Sequence, residues 1–246
     1  MSSVLKIEDI SYQFEEHDVL QGINMTVAPQ QTVGILGTSG VGKTTLFNLI
    51  ASNLAIQSGH ITINDSKDIK GKISYMLQKD MLFQHKTVVE NIMLPLIIKG
   101  VSSKAARMVS EELLEEFGLD KWANYYPNAL SGGMRQRIAF LRTINFDRQW
   151  LLLDEAFGAL DAITRRNMHE WFMEVRQKMN WSTLLITHDV EEALILCDKI
   201  YVIKGQPGKI VKKLDVKLSK EKFSEVIYQP EFLAYKRELL EALSND

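Results

Sequence analysis

A nine-residue stretch, residues 37–45, constrains this chain more than any other part of its sequence. An apolar run over residues 33–36 precedes it, and a helix-like segment over residues 46–51 follows it. Two glycines, a lysine and a threonine stand at the spacing of a phosphate-binding loop between a strand and a helix. Glycines let the backbone turn its N–H groups inward around an anion, and the helix start adds unpaired donors. The predicted phosphate-binding residues are Gly37, Thr38, Ser39, Gly40, Val41, Gly42, Lys43, Thr44 and Thr45.

Two side chains of this loop have expected roles of their own. Lys43 can reach the β- and γ-phosphates of a nucleoside triphosphate, and the Thr44 hydroxyl can ligate Mg²⁺. An ordinary glycine-rich turn is the alternative, but it does not explain a strand before the loop and a helix after it. The sequence therefore predicts binding of a nucleotide together with Mg²⁺.

Two adjacent acids, Asp154 and Glu155, follow a second apolar run over residues 150–153. At the carboxyl edge of a parallel sheet, such residues lie beside the phosphate loop. Asp154 is expected to hold Mg²⁺ through water, and Glu155 to act on the attacking water as general base or orienting group. A plain helix N-terminus, where acids are also common, is the alternative. The phosphate loop favours the catalytic interpretation.

A second candidate anion contact begins at Ser131 and continues through Gly132 and Gly133. Ser131 can cap the helix that starts at these glycines, and their N–H groups would be free to meet an anion. A simple capped helix is the alternative. Because two glycines at a helix start cost stability, an anion site would explain their presence.

Strands and helices alternate along the chain, which is typical of a parallel sheet covered on both faces. Further helices are expected from Asp161 to about Met179, after Asp189, and in the charged tail over residues 219–246. The expected strands are two within residues 4–28, followed by residues 33–36, 58–65, 73–77, 150–153, 183–187 and 199–203.

Between residues 81 and 145 helical periodicity dominates, which predicts an inserted helical lobe. The clearest helix covers residues 103–117, where apolar residues recur at helical spacing and predict one buried stripe. The stripe comprises Ala106, Val109, Leu113, Leu114 and Phe117.

Composition limits the classes of function. Lys and Arg number 29 against 31 Asp and Glu, so the net charge of −2 gives no general basic surface for nucleic acid. The single cysteine, Cys197, excludes an intramolecular disulfide and a cysteine-based zinc site. The N-terminus does not resemble a signal peptide, and the longest apolar run, residues 92–98, is far shorter than the ~20 residues of a membrane span. We therefore expect a cytoplasmic protein that reaches the membrane only through a partner.

Taken together, the motifs resemble those of the ATP-binding cassette (ABC) ATPases, whose signature sequence is similar to residues 130–137, LSGGMRQR. The resemblance covers residues 4 to about 205 and has the family's motifs in their usual order. Gln78 matches the glutamine of the Q-loop, and His188 matches the switch histidine. Asp161 matches the D-loop aspartate, which the family uses to align the partner's site.

The resemblance implies an α/β fold of the P-loop NTPase class in one ABC ATPase domain, residues 1–246. A RecA-like parallel sheet core would carry an antiparallel β subdomain and an inserted α-helical subdomain. Residues 1–80 and 147–246 would form the ATP-binding core, and residues 81–146 the helical signature subdomain. Under the adenine the family places an aromatic residue, which falls at Phe14, with Tyr12 as the nearby alternative.

A mechanism that needs two cassettes is also implied. They face head to tail as a homodimer or other pair, and each ATP lies between the phosphate loop of one and Ser131, Gly132 and Gly133 of the other. A monomer should hydrolyse ATP poorly, because the γ-phosphate charge would be only half stabilised in the transition state. His188 would contact the γ-phosphate. Gln78 would ligate Mg²⁺ and report the nucleotide state to the helical lobe.

Within the family, residues 75–80, 133–137 and 152–161 look like importer ATPases of the nitrate, sulfonate and taurine group. Residues 207–211 are similar to the Pro-Gly-Arg-Ile segment of those proteins. Such ATPases drive uptake through two membrane permease subunits and an extracytoplasmic solute-binding protein, and some carry pyrimidine precursors of thiamine. The resemblance thus implies a peripheral protein at the cytoplasmic face of the cell membrane, soluble when isolated, with no nucleic-acid partner.

The contact with the membrane subunits is expected near the Q-loop, where the family docks a coupling helix. Five apolar residues lie in that region, and the core of the helical lobe is the alternative for each of them. They are Met81, Leu82, Phe83, Val88 and Val89.

Three other functions fit the sequence less well. A non-transport ABC ATPase of DNA repair or translation usually has a long coiled-coil insertion or two cassettes, whereas this chain has a single cassette and a compact lobe. A phosphate-loop kinase or GTPase would not explain residues 130–137. A cassette that binds ATP without hydrolysis disagrees with the presence of Glu155 and His188.

The sequence departs from the family pattern after the catalytic glutamate. Ala156 replaces the proline that usually follows this glutamate, but the change removes no functional group.

Overall fold

The computed structural model describes residues 4–220 and 223–244 of the 246-residue chain. Within them the strands form two sheets. The smaller sheet is antiparallel and contains β1 (Leu5–Phe14), β2 (His17–Val27) and β4 (Ser58–Ile63), with β1 in the middle. The two strands predicted within residues 4–28 are confirmed.

A larger sheet carries the remaining strands. These are β3 (Thr32–Leu36), β5 (Ile73–Met76), β6 (Trp150–Asp154), β7 (Ser182–Thr187), β8 (Lys199–Lys204) and β9 (Lys209–Asp215). Their order is β5-β6-β7-β3-β8-β9, and all neighbours run parallel except the edge strand β9, which is antiparallel to β8. The parallel strands were predicted, whereas β9 was not: only Leu214 in it is buried, so its sequence lacks a strong apolar signal.

Alternation along each strand places consecutive side chains on opposite faces of the larger sheet. On β6, Trp150 and Leu152 pack toward the smaller sheet and helix α1 (Lys43–Ile50). Leu151 and Leu153 pack toward the other helices. Because both faces of the sheet are covered, the inner strands β3, β6 and β7 are buried along their whole length rather than on alternate residues.

Six further helices are described. They are α2 (Val88–Ile98), α3 (Ser103–Glu116), α4 (Gly132–Ile144), α5 (Ala162–Lys178), α6 (Val190–Leu196) and α7 (Pro230–Ser244). Helix α2 packs on both α3 and α4, and short 3₁₀ turns cover Asp120–Trp122, Pro127–Ala129 and Phe223–Tyr228. In the described ranges, no helix is both long enough and apolar enough to span a membrane.

Helix starts and the tail follow the sequence predictions. The carboxylates of Asp161 and Asp189 accept hydrogen bonds from the first-turn N–H groups of α5 and α6, so both act as N-caps. Helix α7 confirms the helix expected in the tail, while residues 221–222 and 245–246 of that tail lie outside the described residues.

The stripe predicted on α3 is partly wrong. Ala106 and Leu114 are buried, but Val109 is 44% exposed, and Ser110 faces inward in its place. Ser110 is tolerated there because its hydroxyl accepts a hydrogen bond from Asn145 Nδ2 at 3.2 Å. A polar residue thus completes the inner face of α3, since a partner from α4's C-terminal end satisfies it.

A matched pair of variants tests this orientation of α3. Leu114→Ala should lower the free energy of unfolding by about 2–5 kcal/mol, because it leaves a cavity in the core. Val109→Ala should change it by about 0.5 kcal/mol or less, because the side chain is exposed. Urea unfolding of both variants and the wild type measures the difference, and equal losses at the two positions would contradict the observed face.

Candidate functional site

The phosphate loop begins where β3 ends, in the interior of the larger sheet, and runs directly into α1. Gly40 and Gly42 have φ angles of 82° and 98°, and Gly42 is the N-cap of α1. Residues with a side chain rarely adopt this left-handed backbone conformation, so glycine is favoured at both positions. The loop and the first turn of α1 therefore form one concave backbone surface with N–H donors, as an anion requires.

Lys43 lies inside this loop and is almost completely buried. Its ammonium donates to the backbone carbonyls of Gly37 and Thr38, at 2.9 and 2.8 Å. Burial lowers the pKa of Lys43, and the nearby carboxylates of Glu155 and Asp154 oppose that shift. The buried cation is thus held at the place where phosphate charge would be bound.

Asp154 ends β6 and is buried beside the loop. Its Oδ2 accepts a hydrogen bond from the Tyr75 hydroxyl at 3.0 Å, and the Thr44 side chain also hydrogen-bonds this carboxylate. Burial raises the pKa of Asp154, while the bonds from Tyr75 and Thr44 act in the opposite direction. Burial likewise raises the pKa of the Tyr75 hydroxyl, which therefore stays a hydrogen-bond donor.

The donor set beside the loop suits Mg²⁺. Thr44 and Asp154 offer hard oxygen atoms next to each other, which is the ligand type that Mg²⁺ prefers. Nowhere in residues 4–220 and 223–244 does a group of three or more His, Cys, Asp or Glu side chains meet that could hold a metal ion alone. Mg²⁺ commonly binds through one or two protein oxygens plus substrate phosphates, so these residues fit such a shared site.

Glu155 adopts a left-handed φ of 46°, which is unusual for a residue with a side chain. Its Oε2 accepts a hydrogen bond from Gln78 Nε2 at 3.2 Å and lies 3.4 Å from His188 Nδ1. The structure thus brings together Gln78, Glu155 and His188, which are far apart in the sequence. His188 is exposed, so it stands at the rim of the site.

A cavity opens between the phosphate loop and the two acids. Its lining contains most of the predicted loop residues, and one contact, Val19 of β2, that the sequence did not indicate. The lining residues are Val19, Ser39, Gly40, Gly42, Lys43, Thr44, Thr45, Gln78, Asp154 and Glu155.

The aromatic residues proposed for the adenine lie outside this lining. Tyr12 is buried in the core of the smaller sheet, whereas Phe14 is 47% exposed at the end of β1. The two rings meet edge to face, with centroids 5.0 Å apart. Phe14 is therefore the ring of the pair that a base could reach, and its contact with adenine stays a prediction.

Ser131, Gly132 and Gly133 do not line the cavity of their own chain. Ser131 caps α4 by accepting a hydrogen bond from the Met134 N–H at 3.3 Å, as predicted. A Cβ added to Gly133 would lie 2.4 Å from Thr164 Cγ2, whereas at Gly132 the nearest atom would be 3.7 Å away. Close packing of α4 on α5 thus explains why residue 133 is a glycine. The sequence had suggested only anion binding as the reason.

Helix α4 is tied along its length to the segment that follows Gln78. Arg135 Nε lies 3.0 Å from Asp80 Oδ2, and Gln136 Nε2 lies 3.5 Å from the backbone carbonyl of Gln78. Arg142 donates to the backbone carbonyls of Asp80 and Met81 at 2.6 and 2.7 Å. The Q-loop and the helix that begins with residues 131–133 are therefore one connected unit.

The residues predicted to contact membrane subunits divide into two groups. Leu82 and the first two residues of α2, Val88 and Val89, are buried in the core, so the core alternative is correct for these three. Met81 and Phe83 are exposed by 57% and 48%, and both remain available to a partner.

A buried side-chain contact connects helices α5 and α6, which follow the loops that carry Glu155 and His188. Arg165 donates to the carbonyls of Gly158 and Leu160 in the loop before α5, at 3.3 and 2.8 Å. Between the helices, His169 Nε2 and Glu192 Oε1 form a buried contact of 2.7 Å. This pair fixes the helix after Asp161 to the helix after His188, a link that the sequence did not reveal.

Comparisons with known proteins agree with this geometry. The family profile described as ABC transporter matches residues 20–158. The formylaminopyrimidine import ATP-binding protein ThiZ of Halalkalibacterium halodurans is 39% identical over 208 residues, which cover 84% of this chain and 82% of the relative. The taurine import ATP-binding protein TauB of Yersinia pestis is 33% identical over 246 residues, 96% of each chain. The nitrate import ATP-binding protein NrtD of Synechocystis is 36% identical over 232 residues, 89% of this chain and 86% of the relative.

A solved structure shows the same fold. The cbiO1 protein of Clostridium perfringens, described as part of the ABC transporter complex cbiONQ, matches with a TM-score of 0.80. The match covers 97% of this chain and 96% of that chain at 21% sequence identity. The α/β fold of the P-loop NTPase class is thereby confirmed.

The packing at Gly133 can be tested by a double-mutant cycle. Gly133→Ala should lower the free energy of unfolding by about 1–3 kcal/mol, because the new methyl overpacks the contact with Thr164. Thr164→Ser removes Cγ2 and should recover most of that loss in the Gly133→Ala background. Urea unfolding of the two single variants, the double variant and a Gly132→Ala control gives the coupling energy. An absence of recovery would show that Thr164 is not what requires glycine.

Proposed function

This chain belongs to the ABC transporter family and is an ATPase, and on that premise we propose that it powers an importer. In this proposal it pairs with a second cassette around two ATP molecules and with two membrane permease subunits. An extracytoplasmic solute-binding protein acts with them on the other side of the membrane. Each cassette lies at the cytoplasmic face.

The incomplete site of a single chain carries the proposal. The cavity holds the phosphate loop, Asp154 and Glu155, but the N-terminal end of α4 lies outside it. Ser131 is exposed and Gly132 half-buried, so both can be reached by another molecule. A head-to-tail pair would place these residues of one cassette over the cavity of the other. Each ATP would then meet donors from both chains, which a lone chain does not offer.

The proposed roles follow from the positions of the side chains. The loop N–H groups and Lys43 bind the phosphates, and Thr44 and Asp154 hold Mg²⁺, with Gln78 at its edge. When held by these residues, Mg²⁺ would neutralise part of the phosphate charge. Glu155 orients the attacking water or accepts its proton. His188 orients the Glu155 carboxylate and contacts the γ-phosphate.

Domain organisation follows the same proposal. Residues 1–80 and 147–246 bind the nucleotide, and residues 81–146 form the lobe that meets the partners. Gln78 contacts Glu155 through its side chain and α4 through its backbone carbonyl, so a change at the γ-phosphate reaches the lobe. The exposed side chains of Met81 and Phe83 are the proposed contacts of the membrane subunits.

The names of the relatives suggest the class of solute. They are import proteins for formylaminopyrimidine, taurine and nitrate. We propose that the importer carries a small solute of this kind. The solute is either similar to nitrate, sulfonates or taurine, or an organic compound similar to a thiamine precursor. If the neighbouring genes encode a solute-binding protein, ligand screening of that protein would identify the solute, because that subunit would meet the solute first.

The dimer can be trapped by removing the carboxylate that acts on water. Glu155→Gln should bind ATP as the wild type does but reduce turnover by at least about 10²-fold, because the amide cannot accept a proton. Mg-ATP should then shift this variant from monomer to dimer on size exclusion with light scattering. A monomer at saturating Mg-ATP would contradict the paired arrangement, and Glu174→Gln, a surface control, should keep wild-type turnover.

Complementation between two inactive variants tests whether Ser131 acts on the partner's nucleotide. Lys43→Ala should prevent tight binding at its own site, and Ser131→Arg should block the partner's site. Mixed chains would have up to one intact site per heterodimer, so the ATPase activity of isolated heterodimers should rise to roughly half the wild-type value. Differentially tagged chains confirm that heterodimers form, and no recovery in confirmed heterodimers would contradict action in trans.

A further inference from the structure

The turn between β8 and β9 packs against the phosphate loop from behind. Two backbone hydrogen bonds fix this turn to β2: the Gly208 N–H donates to the Val19 carbonyl at 2.8 Å, and the Gln21 N–H donates to the Gly208 carbonyl at 3.0 Å. Gly208 is buried, although it lies in a turn at the sheet edge. The turn therefore cannot move freely relative to β2.

Space, rather than backbone conformation, requires a glycine at this position. A Cβ on Gly208 would lie 2.3 Å from the backbone carbonyl oxygen of Val41 and 3.3 Å from that of Val19. Real Cβ atoms essentially never approach other atoms within 3.0 Å. The φ of Gly208 is not in the left-handed region, so only the close approach of two backbones excludes a side chain.

Two other glycines, both in the loop, also lie close to neighbouring strands. A Cβ on Gly37 would lie 2.5 Å from the carbonyl oxygen of Ile203, the residue before the end of β8. A Cβ on Gly42 would lie 2.7 Å from Leu20 Cδ2 of β2. The loop is thus in close contact with β2, β8 and the following turn. None of residues 203–208 lines the cavity.

We propose that Gly208 is a positioning residue for the nucleotide site. Through its contact with the Val41 carbonyl it sets the peptide plane between Val41 and Gly42, and with it the direction of the N–H groups that face the phosphates. Gly208 does not line the cavity, so it acts only through the loop. The proposal rests on the proposed function of that loop in binding nucleotide phosphates.

The geometry predicts an effect on binding more than on chemistry. A methyl group at residue 208 would displace the Val41 peptide, so that the loop N–H groups would no longer point at the phosphates. A misplacement of about 1 Å in a group that positions a substrate can lower a rate about 10²-fold, and here the affinity for the phosphates should fall first. The general base Glu155 and the rim residue His188 are attached to other strands, β6 and β7, and would keep their places. A rise in the KM for ATP with a smaller change in kcat is therefore expected.

The experiment compares Gly208→Ala with Gly59→Ala, which also introduces a backbone clash and adds strain because Gly59 has a φ of 78°. A Cβ on Gly59 would lie 2.4 Å from the backbone carbonyls of Glu8 and Asp9, a comparable backbone clash away from the loop. Calorimetric titration with ADP gives the affinity and the folded, binding fraction separately. Gly208→Ala should bind ADP at least tenfold more weakly than the wild type, and Gly59→Ala within twofold of it. The ATPase KM should rise in the same proportion, with kcat within about threefold.

Each outcome separates this proposal from the function on which it rests. Wild-type protein that fails to bind ADP would remove the proposed nucleotide site itself. Wild-type binding together with unchanged ADP affinity in folded Gly208→Ala would overturn only the positioning role. If Gly208→Ala does not fold, Pro207→Gly decides, because it loosens the turn without adding atoms. Its ADP affinity should fall two- to fivefold, and an unchanged affinity would overturn the proposal.

Discussion

The parallel packing of neighbouring strands is the constraint on which the rest of this site depends. Carboxyl ends of parallel strands meet at one edge of a sheet, so residues distant in sequence come together there. Gln78 follows β5, Glu155 follows β6 and His188 follows β7, and these strands are neighbours in that order. The phosphate loop follows β3, the next strand along the edge. A one-residue slip in any of these registers would turn the corresponding side chain to the opposite face of the sheet.

This edge is also where the site is connected to α4. The Gln78 side chain contacts Glu155, and its backbone carbonyl is the acceptor for Gln136. Arg142 binds the following segment through two shorter bonds, so that segment and α4 should move as one body. The two contacts of Gln78, at 3.2 and 3.5 Å, are the longer ones. Gln78 is therefore the residue at which the nucleotide site and the helical lobe meet.

Local motifs made the phosphate loop, the caps of α5 and α6 and the parallel strands predictable, because each is encoded within a few adjacent residues. Tyr75 and Val19 could not be found in this way, since their roles depend on which strands become neighbours. The inward position of Ser110 on α3 was missed for a related reason. Helical periodicity counts apolar residues, and the partner that satisfies Ser110 is Asn145, 35 positions away.

Glycines illustrate the same limit more sharply. The spacing of Gly37 and Gly42 identified a loop, but it could not show that other backbones press against that loop from behind. At Gly133 and Gly208 the reason for glycine is a neighbour from a distant segment, Thr164 in one case and Val41 in the other. Close approach of two chain segments leaves no periodic signal in the sequence, so only the folded arrangement explains these residues.

Burial of charge makes the site suitable for a charged ligand. Burial raises the pKa of Asp154, so its ionised form reduces folding stability as the pH rises through that pKa. Burial lowers the pKa of Lys43, so its charged form reduces stability as the pH falls through that pKa. Attraction between the two groups offsets these costs only in part. Phosphate oxygens beside Lys43 and a cation beside Asp154 would favour the charged form of each, so binding of the nucleotide with its metal should stabilise the folded chain.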